Sequence, residues 1–338
     1  MKFLIITLVI IITAVGVAAL FVSRRNAASP PKMYHIAIIT RKDVATYTQA
    51  IESYRKKMVT LGYAEGKNIS YEIHEFGNSS ELKDIVQAVV RSGPDVIHTY
   101  STPATVQAYQ QTKTMPHPIP VVFGSMGDPL AAKVVLDLQQ PGTNVTGVAS
   151  LATELTANRV RFLKEINPNI KRIAMPRSAA SLNDVSANKS VEVAQETAKQ
   201  LGLELIFFPV SSAEENATIA KSITKEKAEG MIVGGDSLVW GGIDAYIAQA
   251  IKEKIPFAAF DLTQIAKGAL IGMGPDYARV GEQAAGLTHQ VLDGTPPATI
   301  PVQVPQKLIL AVNIATARAI GITLSDDLLK RADVVIGK

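Results

Sequence analysis

The sequence predicts an α/β protein built as two doubly wound, Rossmann-like lobes, and three observations predict it. Short apolar runs rich in β-branched residues, such as Tyr34–Thr40, Pro94–Tyr100 and Ile119–Phe123, lack polar alternation, as strands covered on both faces do. Stretches of helical length separate these runs. The strand–helix rhythm then repeats in the second half, which implies two successive parallel sheets with right-handed crossovers. At 338 residues, 47% hydrophobic and 19% charged, the chain is long enough for two domains and globular in composition.

The first element is Phe3–Val22, an uncharged run flanked by Lys2 and by Arg24-Arg25. Its length suits a spanning helix of about 20 residues better than the ~7–15-residue core of a signal peptide. Gly16-Val17-Ala18 and Ala27-Ala28-Ser29 nonetheless offer small residues for cleavage. Anchor or signal, the segment puts the globular part outside the cytoplasm. Residues 1–32 hold Lys2, Arg24, Arg25 and Lys32 and no acid, so these four account for the whole net charge of +4. The folded part is neutral and has no electrostatic footprint for nucleic acid. Asn26–Lys32 reads as a polar, Pro-containing tether.

From Tyr34 the elements alternate. A helix over Val44–Leu61 is stopped by Gly62, and Asn68–Phe76 is the second strand. Ser79 or Ser80 caps the next helix, with Glu81 early and Arg91 late as the helix dipole prefers. Pro94–Tyr100 is the third strand, Thr105–Thr112 is helical, and Ile119–Phe123 is the fourth strand. After the Gly124–Gly127 turn, Asp128-Pro129 restarts the chain as a helix, Asp as N-cap and Pro in the first position. Asn144–Val148 is a strand, and the crossing to the second lobe follows it.

In the second half, helices are expected over Glu154–Ile166, Asp184–Leu201, Ala213–Glu229, Leu238–Lys254 and Tyr277–Leu292. Strands are expected at Lys171–Met175, Leu203–Val210, Gly230–Gly234, Ile255–Phe260 and Leu270–Gly272. The organisation is thus 1–32 as signal or anchor and tether. Residues 33–148 form a first lobe completed by about 277–300, and 149–276 a second completed by about 301–338.

The chemistry is bounded by absences. There is no cysteine, no Gly-x-Ser-x-Gly elbow, no phosphate loop and no His-Glu-x-x-His, and the five histidines lack partners at metal-ligand spacing. No catalytic residue, metal or cofactor is assigned. The polar residues that stand out follow strand ends: Ser101-Thr102, Ser125 with Asp128, Asp236-Ser237, Asp261 and Asp276-Tyr277. Ligands of open α/β sheets bind at that edge, where hydroxyls and free N–H groups suit a carboxylate and a carboxylate side chain suits an ammonium. Each of these residues also reads as a helix cap, and the two roles are compatible. Tyr100 reads as packing against its lobe more readily than as a stacking platform, and Trp240 equally as either. Two such edges facing each other make a cleft for a small polar or zwitterionic ligand, closed by hinge motion.

The motif order resembles a family. Leu61-Gly62-Tyr63-x-Glu65-Gly66-Lys67-Asn68, Pro94-Asp95-Val96-Ile97, Thr102-Pro103-Ala104, Ile119–Phe123, Asp128-Pro129 and Asn144-Val145-Thr146-Gly147-Val148 occur in the order seen in TrpX-like substrate-binding proteins of ABC transporters. The resemblance continues through Leu201–Glu204, Ile255-Pro256-Phe257, Lys267-Gly268-Ala269 and Asp276-Tyr277 to Val312-Asn313. It implies class I periplasmic-binding-protein architecture, with two lobes joined by three crossovers. It implies a ligand-binding set of Ser101, Thr102, Ser125 and Asp128 from the first lobe, and Asn183, Asp236, Ser237 and Asp261 from the second. At Met175–Asp184 the chain departs from the family's usual Asn-Pro turn, and Ser237 stands where Asn is common. The implied function is extracytoplasmic capture of an amino acid or related small carboxylate by a monomer that delivers it to an ABC permease. A membrane-tethered sensing module and an extracytoplasmic enzyme are the alternatives.

Overall fold

The computed structural model describes residues 32–179 and 184–337; the hydrophobic run Phe3–Val22, with its anchor or signal reading, and Asn183 lie outside them. The first sheet is built by β1 (Tyr34–Arg41), β2 (Ile69–Phe76), β3 (Val96–Tyr100), β4 (Val121–Met126) and β5 (Val145–Ala149). Its order is β2-β1-β3-β4-β5, parallel throughout, the pattern of a doubly wound lobe. Helices α1 (Ala45–Thr60), α2 (Ser79–Ser92) and α3 (Thr102–Thr112) connect it. The β1 residues Ile36, Ile38 and Ile39 are fully buried, as the unbroken apolar runs require.

The second sheet holds β6 (Arg172–Ser178), β7 (Glu204–Val210), β8 (Gly230–Ile232), β9 (Phe257–Ala259), β10 (Ile271–Pro275), β11 (Leu308–Asn313) and β12 (Val334–Ile336). The order is β12-β11-β10-β9-β8-β6-β7, parallel except for the β10–β11 pair. Its connections include α4 (Thr156–Ile166), α5 (Val185–Gln200), α6 (Asn216–Ser222), α7 (Ser237–Gly241), α8 (Ile243–Lys252) and α9 (Leu262–Ala266). After β10 the chain returns to the first lobe: α10 (Tyr277–Leu292) packs on α1, and Gln303 N donates to Gly147 O at 2.9 Å. It then crosses back for β11, α11 (Ile314–Ile320), α12 (Asp326–Arg331) and β12. The peptide passes between the sheets three times.

Several element expectations change. Asp128-Pro129 opens a single turn and not a helix: Asp128 Oδ1 accepts Ala131 N at 2.9 Å, and Lys133 then adopts a φ of 54° that ends it. The cap of α2 is Asn78, one residue earlier than expected, with Glu81 returning a carboxylate to Gly77 N at 2.7 Å. The stretch Ala213–Glu229 is helical only over α6, because Ile223 leaves it in an extended conformation. The Leu238–Lys254 helix is broken at Gly242, whose missing side chain admits Asn216: an added Cβ would stand 2.3 Å from Asn216 Cβ.

Candidate functional site

The carboxyl ends of the two sheets face each other. From the first lobe come Arg41 at the end of β1, Tyr100 closing β3 with Ser101 after it, and Ser125 in β4. From the second come Ser178 closing β6, the Gly234–Ser237 turn after β8, and Phe260-Asp261 after β9. Helix starts converge on the same edge. Ser101 caps α3, Asp184 caps α5, Asp236 caps α7, Asp261 caps α9 and Asp276 caps α10. Capping explains the residue types, and the parallel topology explains why the caps share one edge.

Hydroxyl contacts join the lobes, among them a longer one from Thr263 Oγ1 to Gln49 Oε1 at 3.4 Å and two shorter ones. Thr102 Oγ1 lies 2.6 Å from Ser186 Oγ, and Thr46 Oγ1 donates to Asp261 Oδ2 at 2.8 Å. Gly127 allows the approach at Ser186, since a Cβ there would stand 2.2 Å from Ser186 Oγ. Between these contacts lies an aromatic cluster. Trp240 stacks on Phe260 with centroids 4.7 Å apart and planes at 18°. Tyr47 sits 5.5 Å from Tyr100, 6.2 Å from Trp240 and 6.3 Å from Tyr277. The Tyr277 hydroxyl is 3.2 Å from Ser125 Oγ. Beneath Phe260 the Arg159 guanidinium lies 4.8 Å from the ring, fully buried and donating to Val233 O at 2.9 Å. Burial lowers its pKa to about 9.

The sequence-predicted residues separate by position. Ser101, Thr102, Ser125, Asp236, Ser237 and Asp261 are all buried at the facing edges. Thr102, Ser125 and Ser237 line the small space beside Tyr47 and Trp240. Asp236 is engaged by its own lobe. Its carboxylate accepts from Ser178 N, from Ser178 Oγ at 2.8 Å, and from Leu238 N and Val239 N at 3.1 and 3.4 Å. Asp261 is likewise held by Thr46 and by Gln264 N at 3.1 Å. Asp128 is half-buried and caps its own turn, off the cavity walls.

Sequence reasoning missed Arg41, Tyr47 and Asp184 as site residues. Arg41 is almost buried, over the Phe76 ring at 5.2 Å, and lines a cavity of about 200 Å³ between the lobes. Asp184 and Ser237 border both that cavity and the aromatic space. Burial, with the Asp236 carboxylate adding to it, pushes Asp184 up to about 7. Burial draws Arg41 down, and Asp236, Tyr47 and Asp184 oppose that shift. The one available signal was position: Arg41 ends a strand and Asp184 starts a helix.

Two α/β lobes whose parallel edges face each other give an architecture similar to that of the class I periplasmic binding proteins. The chain belongs to the ABC transporter substrate binding protein family, which it matches over residues 36–336. A tyrosine-binding protein of Clostridioides difficile (strain R20291) is 27% identical over 303 residues, covering 88% of this chain and 84% of that protein. Among solved structures, a conserved domain protein from Vibrio cholerae is similar at a TM-score of 0.83 and 28% identity, covering 90% of this chain and all of that one. An ABC domain from Streptococcus pneumonia in complex with L-Trp has the same fold, with TM-score 0.81, 24% identity, and coverage of 90% and 100%.

Proposed function

We propose that the chain captures an aromatic amino acid, or a closely related planar carboxylate, between its lobes outside the cytoplasm and hands it to an ABC permease. The observation that carries this reading is the buried aromatic cluster of Tyr47, Tyr100, Trp240, Phe260 and Tyr277 at the lobe boundary, of which Tyr47 and Trp240 line the inter-lobe space edged by hydroxyls. Tyr47 and Trp240, backed by Tyr100, Phe260 and Tyr277, are the rings placed to meet a planar ligand as the lobes part to admit it, and each stacked or edge-on pair is worth roughly 0.5–1.5 kcal/mol beyond its buried area. The named ligand of the Clostridioides difficile relative, tyrosine, agrees with that chemistry. A ligand touching both lobes favours the closed arrangement by its differential affinity for it. The N-terminal hydrophobic run serves export or tethering.

Trp240 is the chain's single tryptophan and sits in the cleft, so its fluorescence reports occupancy directly. The full-length protein titrated with tyrosine, tryptophan and phenylalanine gives a saturable change, with a thermal shift worth about 2.7 kcal/mol at 100-fold the dissociation constant. Titration with ribose and other sugars gives none. A response confined to sugars or nucleosides rejects the reading.

A further inference from the structure

The cavity of about 200 Å³ beside the aromatic cleft is lined from the first lobe by Arg41, Asn78 and Pro103 and from the second by Ser178, Asp184 and Ser212. Its two charged groups come from opposite lobes and carry opposite sign. Arg41 donates to Gly77 O at 3.1 Å, and no carboxylate among the described residues lies within ion-pair distance of it. Its side chain is nevertheless almost buried, with the Asp236, Asp184 and Glu214 charges near enough to act on it but no carboxylate paired with it. Asp236, the neighbouring acid, already accepts four donors from its own lobe. Asp184 accepts Ala187 N at 3.0 Å as the cap of α5 and stands on the wall shared with the space at Tyr47 and Trp240.

We propose that Arg41 and Asp184 form a zwitterion clamp for the ligand, Arg41 holding its carboxylate in the flanking cavity and Asp184 its ammonium at the mouth of the aromatic cleft. This rests on the aromatic-amino-acid reading of the cleft. The order of groups along the site, from aromatic rings to Asp184 to Arg41, matches the order of ring, amine-bearing carbon and carboxylate in such a ligand. Because one charge belongs to each lobe, a bound zwitterion ties the lobes together and an analogue lacking either charge ties only one.

The test compares L-tyrosine, L-tyrosinamide and 3-(4-hydroxyphenyl)propanoate by Trp240 fluorescence on the full-length protein and on Arg41→Gln, Arg41→Lys and Asp184→Asn. Asparagine keeps the α5 cap, so the last variant isolates charge. A charge-assisted hydrogen bond is worth about 1.5–3 kcal/mol, or roughly 10- to 100-fold in affinity. Tyrosinamide and the deaminated acid each bind that much more weakly than tyrosine. Arg41→Gln weakens tyrosine and the deaminated acid but not tyrosinamide, Arg41→Lys restores part of the loss, and Asp184→Asn weakens tyrosine and tyrosinamide only. Equal binding of all three compounds, or a uniform loss across them in either variant, overturns the clamp and leaves aromatic capture standing. Silence of Trp240 to tyrosine, tryptophan and phenylalanine alike overturns both.

Discussion

Thr46, in the first turn of α1, donates its hydroxyl to Asp261 at 2.8 Å, and the bond runs from one lobe to the other. Asp261 is buried, and burial raises its pKa while the Thr46 hydroxyl and the N–H groups of Gln264 and Thr263 oppose the shift. Thr46→Val keeps the shape and leaves one carboxylate oxygen short of a donor. The penalty for such a buried acceptor is about 1–3 kcal/mol, and it falls on the arrangement in which the lobes touch. Ligand affinity therefore drops about 5- to 100-fold while each lobe keeps its own core. Calorimetric titration checks the affinity; an unchanged dissociation constant removes this bond from the closing equilibrium.

Gly127 gives a sharper lever on the same boundary. An alanine Cβ there would stand 2.2 Å from Ser186 Oγ and 2.8 Å from Ser186 Cβ, both on the opposite lobe. The backbone of Gly127 is not left-handed, so alanine is sterically acceptable within its own lobe. Gly127→Ala wedges the lobes apart, costing more than tenfold in affinity with little change in melting temperature without ligand. Adding Ser186→Gly relieves the clash and recovers part of the loss. Small-angle scattering of the ligand-saturated proteins reads the spacing, and a wedge variant as compact as the parent defeats the idea.

Two glycines of α10 predict opposite signs. Gly281 faces α1, where a Cβ would meet Ala50 O at 2.1 Å and Tyr54 N at 3.0 Å, whereas a Cβ at Gly286 would meet nothing within 4 Å outside its own helix backbone. Gly286→Ala removes the entropic handicap of glycine in a helix and stabilises by about 0.5–1 kcal/mol. Gly281→Ala meets backbone, forces the helices apart and destabilises by about 1–3 kcal/mol despite the same propensity gain. Thermal denaturation decides between them; two shifts of the same sign refute the close α1–α10 packing.

The sequence made the repeated α/β rhythm legible because the strands are buried on both faces and read as continuous apolar runs. Tyr277–Leu292 is legible to the residue, since Asp276 caps it and Asp293-Gly294 ends it. Asp128-Pro129 carries the same start signal, but local chemistry specifies only a turn, and Lys133 turns the chain out of it. The hydroxyl and carboxylate edge was visible as caps after strands. Arg41 was not, because a charge at a strand end reads as solvated until distant Phe76 and the opposite lobe cover it. Asp236 and Asp184 look alike in sequence. Only the tertiary donors from Ser178 distinguish the acid that is engaged from the one that faces the cavity.

His98 and Asp184 give stability opposite dependences on pH. His98 is buried in β3, with Nδ1 2.7 Å from Val122 O, and burial lowers its pKa to about 4 against an ordinary 6.5. Between those values the unfolded chain takes up a proton that the folded one refuses, so stability is lost as pH falls from about 6.5 to about 4. Asp184 is raised to about 7 from an ordinary 3.8 by burial and by Asp236, with Arg41 and the N–H groups of Ala187 and Ser186 opposing. The folded chain holds that proton first, so stability is gained as pH falls from about 7 to about 4. Each slope approaches about 1.4 kcal/mol per pH unit at most, and in the shared window they offset each other. Asp184→Asn removes the gain, making the protein lose stability on acidification from about pH 7 to about pH 5 more steeply than the parent. His98→Asn removes the loss and flattens or reverses the trend. Carboxylates remote from both sites contribute equally to all three proteins and cancel in the differences, while Asp236, which acts on Asp184, is counted with it. Urea denaturation at the two pH values is the measurement, and parallel changes in all three proteins contradict both assignments.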